Sequence, residues 1–296
     1  MYLRKPLLPK HWPFLLPILA LSLLLSACSA WMPKEVRQTL QRTSAIAVEL
    51  SSKHPDLSHD YKIADRNIHY VEISQGPAKP LIIFIHGSPG DWRAWVEYLR
   101  DPELQQKSLM VAVDRPGFGG SGAGIVERSL EQQCRELAPI LDQASPGQRI
   151  LLVGHSYGGP VAARLAMDHP DKVTDLVLLA GSIDPGQEHT AWYQYPADWP
   201  PFSWLVPTEL LVANREIRHL KGDLTEMLPL WSKITQRVTL IQGEKDDLVP
   251  PENADFAARM ITHAQSFHII RVPNQNHFLP WNQYKLVKST ILEHLE

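Results

Sequence analysis

Residues 150–166 read ILLVGHSYGGPVAARLA. The first four, Ile150 to Val153, are apolar without alternation, the pattern of a strand buried on both faces in a parallel sheet. The last six, Val161 to Ala166, predict a helix with a small-residue face that packs closely on that sheet. Between them, Gly154-His155-Ser156-Tyr157-Gly158 leaves no room for an ordinary loop. Glycines on both sides of the apex permit a sharp bend and a close approach that a Cβ would forbid. The apex itself is a serine, which is either a nucleophile or a polar residue in a tight turn.

Outward from this corner the same rhythm repeats. Leu81–Ile85, Leu109–Val113 and Leu176–Leu179 are apolar runs, each followed by a helical pattern. Trp92, Trp95, Val96 and Leu99 form the inner stripe of one such helix, and a capping box at Ser129 and Gln132 starts another. Tyr61–Ile73 reads as one or two strands, and Gly76-Pro77 as a turn. Two further strands, Val238–Ile241 and Phe267–Ile270, precede a last helix from Tyr284 to Leu295 with Leu286, Ile291 and Leu295 inward. Strands alternating with helices predict an α/β fold with a mostly parallel central sheet flanked by helices.

The rhythm breaks over residues 184–235. No strand pattern occurs there, and Trp192, Tyr193, Tyr195, Trp199, Trp204 and Trp231 lie among six prolines. The segment is too long and too aromatic for a surface loop, so we expect an inserted helical cap. Its aromatics could line a pocket over Ser156, glue the cap to the core, or touch lipid. The expected organisation is a leader over 1–27, a tether or helix over 28–60, a core over 61–183 and 236–296, and a cap over 184–235.

The leader is basic at Arg4, Lys5 and Lys10 and uncharged from Phe14 to Ala27, the pattern of a cleaved export signal. Leu25-Ser26-Ala27-Cys28 resembles the lipobox of bacterial lipoproteins. That resemblance implies acylation of Cys28, and Ser29 after it implies a place in the bacterial envelope, at the outer membrane facing the periplasm. Cys134, the other of the two cysteines, shares a helix face with Leu130, Leu137 and Leu141 and reads as a buried core thiol. The formal net charge is −3, and loss of the basic leader makes the chain more acidic. No basic cluster remains in sequence, which argues against nucleic acid as a partner.

A serine hydroxyl needs a base to become a nucleophile, and the base needs an orienting acid. Gly243-Glu244-Lys245-Asp246-Asp247-Leu248-Val249-Pro250 follows one strand, and Asn274-Gln275-Asn276-His277-Phe278 follows the next. Loops leaving the carboxyl ends of parallel strands gather on one edge, so Ser156 can meet an acid and a histidine there. The order Ser, Asp, His is that of α/β hydrolases.

With these motifs, His86-Gly87-Ser88-Pro89-Gly90 and Asp114-Arg115-Pro116-Gly117-Phe118-Gly119-Gly120-Ser121, the chain resembles the α/β-hydrolase superfamily from about Tyr61 to its end. The resemblance implies Ser156 as nucleophile, His277 as base, and an orienting acid for which family spacing favours Asp246 over the adjacent Asp247. It implies an oxyanion hole made by the backbone N–H groups of Ser88 and Tyr157. His155, His86 and His268 read as packing or structural residues, and no histidine spacing suggests a metal site or a cofactor. Dehalogenase and epoxide-hydrolase members carry aspartate at the nucleophile position, so their chemistry is not expected from Ser156. The expected activity is hydrolysis of a small-molecule carboxylic ester through an acyl-enzyme. Amide, peptide or carbon–carbon cleavage by the same triad, and a non-catalytic scaffold of the same fold, are the alternatives.

Overall fold

The computed structural model describes residues 34–74 and 79–296. The expected leader, Cys28 and the Gly76-Pro77 turn lie outside the described residues. The chain divides into two units, residues 1–45 and 46–296, with the division inside helix α1 (Lys34–Lys53). Pro55 disfavours helical backbone at His54, and α1 ends just before it.

The larger unit is built on one eight-stranded sheet. Tyr61–Ile73 resolves into two antiparallel strands, β1 (Ser58–Ile63) and β2 (Arg66–Ile73), β1 starting three residues before the expected boundary at Tyr61. Then follow β3 (Leu81–Ile85), β4 (Leu109–Val113), β5 (Ile150–His155), β6 (Asp175–Leu179), β7 (Arg237–Gly243) and β8 (Ser266–Val272). The order across the sheet is β1-β2-β4-β3-β5-β6-β7-β8, and every pairing after β2–β4 is parallel.

Both faces of the central strands are covered, which explains their unbroken apolar runs. On one face Ile83, Ile85, Leu152, Leu178 and Leu240 meet helices α4 (Leu130–Leu137) and α5 (Gly158–Asp168). On the other, Ile82, Phe84, Leu151, Val153 and Ile241 meet Trp95, Tyr98 and Leu99, around the short helix α2 (Val96–Leu99); α3 (Pro102–Lys107) follows it. Cys134 is buried on α4 as expected, and burial pushes its thiol pKa far up.

Between β6 and β7 the described chain forms no strand; residues 180–191 are turn and coil, and helical segments begin at Trp192. Three 3-10 turns (Trp192–Gln194, Pro196–Asp198, Phe202–Trp204) precede the long helix α6 (Thr208–Met227) and a last 3-10 turn, Leu228–Lys233. Prolines punctuate the early part, and only the proline-free 208–227 stretch extends into a full helix. Its aromatics divide sharply. Trp231 is buried edge-on to Phe256 of α7 (Glu252–Met260), whereas Trp199 and Trp204 are exposed.

A short helix α8 (Leu279–Asn282) leads into α9 (Tyr284–Leu295), whose bounds are those expected. The inward stripe differs from expectation. Val287, Thr290, Ile291 and His294 are buried, while Leu286 and Leu295 are only half-buried. His294 could be buried because Asp175 takes Nδ1 at 2.9 Å and Thr239 takes Nε2 at 2.9 Å, so a polar side chain occupies a core position.

Candidate active site

Strand β5 hands over to α5 with almost no intervening chain. Ser156 sits at the junction in the left-handed region, with φ of 55°. For a non-glycine residue this conformation is strained, and it persists only where the surroundings impose it. Ser156 N–H donates to Leu179 O at 3.0 Å, and Ser156 O accepts from Gly159 N–H at 2.9 Å. A Cβ on Gly154 would lie 2.2 Å from Gly158 O, and one on Gly158 would lie 2.3 Å from Ile85 O. The glycines flanking the serine are therefore required by contact as well as by the bend.

The loop after β3 runs against this corner. A Cβ on Gly87 would fall 2.9 Å from Ser156 Cβ, which brings the Ser88 segment beside the serine. Tyr157 N–H opens α5 immediately after it. The two segments expected to supply oxyanion donors are thus adjacent to Ser156. Ser88 Oγ is itself buried without a hydrogen-bond partner among the described residues.

Asp246 and His277 come together from the ends of β7 and β8. Gly243 permits this, because a Cβ there would lie 2.5 Å from Gln275 O. Lys245 N–H then donates to Gln275 O at 2.8 Å, joining the two loops. His277 Nδ1 donates to Asp246 Oδ2 at 2.8 Å. Asp246 Oδ1 accepts from Leu248 N–H and Val249 N–H at 2.9 and 2.8 Å, so the carboxylate is held at both oxygens. Asp246 is buried and Asp247 is exposed, so geometry singles out the first. Ser156 Oγ makes no hydrogen bond among the described residues; a serine–base link is often loose before substrate arrives.

Three residues have larger parts here than their sequence context indicated. His155 Nε2 donates to the backbone O of His277 at 3.0 Å and so ties the elbow to the histidine loop. Burial, then the neighbouring His277, lowers its pKa to about 3, keeping it neutral. His86 is also neutral, its pKa lowered to about 4 by burial and by Arg115. Its Nδ1 donates to Gly87 O at 2.7 Å while Nε2 accepts from Arg115 N–H at 2.9 Å.

The third is Arg115, which is fully buried. Its guanidinium donates to His86 O and Gly87 O at 2.9 and 3.0 Å, and to Glu216 of α6 through two bonds of 2.9 and 2.8 Å. Gln133 Oε1 accepts a further bond at 2.8 Å, and the Tyr157 ring lies 4.4 Å below the cation. One side chain therefore links α6 to the His86–Gly87 loop and to Tyr157. Only the neighbouring glycine-rich motif marked Arg115 in sequence; Glu216 is a glutamate like others on an amphipathic helix.

A second Ser–His–Asp chain exists at the sheet edge. Ser58 Oγ is 2.7 Å from His69 Nε2, and His69 Nδ1 is 2.8 Å from Asp114 Oδ2. Ser58 begins a strand rather than an elbow, and Asp114 also accepts from Trp92 N–H and Gly120 N–H. This chain fastens the glycine-rich loop to β2.

The sheet order, the serine elbow and the strand-end loops define an α/β-hydrolase fold. The family model described as the alpha/beta hydrolase fold matches residues 80–220. Over 234 residues the chain is 30% identical to Epoxide hydrolase 3 of Xenopus tropicalis, covering 72% of this chain and 61% of that one. A crystal structure of a membrane phospholipase A, a bacterial virulence factor, matches with a TM-score of 0.60 at 19% identity, covering 96% of this chain and 98% of that one. The monoacylglycerol lipase of Paleococcus ferrophilus matches with 0.61 at 16% identity, over 77% and 98%. The chain spans between 22% and 61% of the length of the first curated relatives it matches. Its fold is that of the α/β hydrolases.

Proposed function

We propose that the chain is a serine hydrolase that cleaves a small-molecule carboxylic ester through an acyl-enzyme. The observation that carries this reading is the 2.8 Å bond from His277 to a doubly held Asp246, beside a serine forced into an elbow. Ser156 Oγ attacks the carbonyl carbon while His277 Nε2 takes its proton. Asp246 keeps the imidazole in the tautomer that accepts at Nε2 and stabilises the imidazolium. The oxyanion is met by N–H groups of Tyr157 and Ser88. His277 then protonates the departing alcohol, and water hydrolyses the acyl-serine by the same route.

Epoxide opening is the reading that the curated relatives suggest. A serine that opened an epoxide would form an ether, which has no carbonyl for water to attack. The ester reading therefore fits Ser156 better. Amide or carbon–carbon substrates would use the same triad.

The test is turnover of p-nitrophenyl esters of graded chain length by the full chain, beside Ser156→Ala. Turnover that vanishes in the variant supports the ester reading. A folded protein without turnover that still labels with a fluorophosphonate points to amide or carbon–carbon substrates. Absence of both turnover and labelling leaves a scaffold.

We propose also that Cys28 is acylated and anchors the chain in the bacterial envelope, at the outer membrane facing the periplasm. Leu25-Ser26-Ala27-Cys28 followed by Ser29 supports this. Incorporation of an alkynyl fatty acid, lost in Cys28→Ser, is the outcome expected.

A further inference from the structure

Most of the large apolar side chains exposed among the described residues fall in one stretch, 192–210. Trp204 is 78% exposed, Leu205 66% and Trp199 62%. Isolated exposed apolar residues are ordinary, but a run of them on one segment marks an interaction surface.

Two of these exposed aromatics, Tyr195 and Trp199, also line a cavity of about 210 Å³. Its other walls are Arg128, Asp198, Arg215, Arg218 and His219, and none of Ser156, Asp246 or His277 takes part. Asp198 accepts from Arg215 at 3.0 Å and from Arg218 at 2.7 Å, and Arg218 stacks 4.2 Å over Tyr195. Arg128 makes no ion pair among the described residues. Three arginines thus face one carboxylate inside a chain whose net charge is −3. On α6, Glu216 is committed to Arg115, and Asp223, one turn on from His219, accepts from Leu130 N–H. Glu209 stays exposed outside the cavity.

A cationic cavity with an aromatic rim matches a surface that is anionic and apolar at once. Trp and Tyr settle at the headgroup level of a bilayer, and guanidinium groups pair with phosphate oxygens. A free phosphate would explain the arginines but not the exposed Trp204 and Leu205. We propose that the cap docks on an anionic phospholipid surface, its exposed aromatics entering the headgroup region and the arginine cavity taking a lipid phosphate. This surface is separate from Ser156, so the proposal stands or falls apart from the esterase reading, and Ser156→Ala docks like the parent.

The test uses the full chain with Cys28→Ser and Leu205→Cys, labelled with an environment-sensitive dye; the buried Cys134 is spared. Vesicles of phosphatidylcholine with phosphatidylglycerol should shift the dye emission to the blue. The same dye at Val48, 72% exposed but outside the cap, should not respond. Arg128→Gln should weaken binding about fivefold, and added salt should weaken it further. Four outcomes overturn the proposal. Position 205 gives no shift on any vesicle, or position 48 shifts equally. Pure phosphatidylcholine binds as well as the anionic mixture. Soluble glycerol phosphate binds in an Arg128-dependent way while vesicles do not, which makes the cavity a free-phosphate site.

Discussion

Asp246 and Asp247 are chemically identical neighbours, and their surroundings alone separate them. Both oxygens of Asp246 accept hydrogen bonds, while Asp247 faces solvent. Asp246→Asn is expected to lower kcat on esters by about 10⁴, as loss of the orienting carboxylate does in other triads. Asp247→Asn should leave kcat within a few-fold, read in the same assay. Arg115 is a positioning residue in this scheme, because it holds the carbonyls of His86 and Gly87 while Glu216 holds it. Glu216→Gln keeps the shape and loses half of the bidentate pair. We expect kcat to fall by up to about 10²-fold with KM little changed, since the oxyanion segment matters most in the transition state. A variant that lost stability but kept kcat would show Glu216 to be structural only.

At the scale of elements, α6 meets α4 through an ionisable contact. Leu130 N–H, in the first turn of α4, donates to Asp223 Oδ2 at 3.1 Å. Burial raises the Asp223 pKa from 3.8 to about 6, although that N–H works the other way. A carboxyl with a raised folded pKa holds its proton more tightly when folded, so its contribution to stability falls as pH climbs from about 4 through 6. Asp223→Asn removes this loss and still accepts the Leu130 bond. Its melting temperature should exceed the parent's at about pH 8 and converge on it near pH 4. An unchanged gap across that range would mean that Asp223 does not titrate as its burial implies. The elements themselves were legible because their patterns are local. The β-strand runs and the span of α9 follow from periodicity, and the start of α4 from the Ser129 cap. The inner face of α9 was not, because Thr290 and His294 look like surface residues by type, and His294 shows its buried role only once Thr239 and Asp175 are placed against it.

For the molecule as a whole, the aromatics of the 184–235 segment have two fates. Trp231 belongs to the main core with Phe256, so Trp231→Ala should cost about 3–5 kcal/mol in denaturant unfolding. Trp204 is 78% exposed, and Trp204→Ala should change stability by less than about 0.5 kcal/mol. Equal costs would contradict this division. The sequence by itself determined the parallel sheet, the serine corner and the strand-end positions of Asp246 and His277. These follow from periodicity of two or 3.6 residues and from glycines whose spacing tolerates no Cβ. Only the tertiary structure decided which of two adjacent aspartates meets His277 and that Arg115 joins Glu216 to the His86–Gly87 loop. It also gathered Arg128, 87 positions before Arg215, into one cationic cavity. Contacts between residues distant along the chain leave no local period, and a buried charge looks like any other charge until its partners are in place.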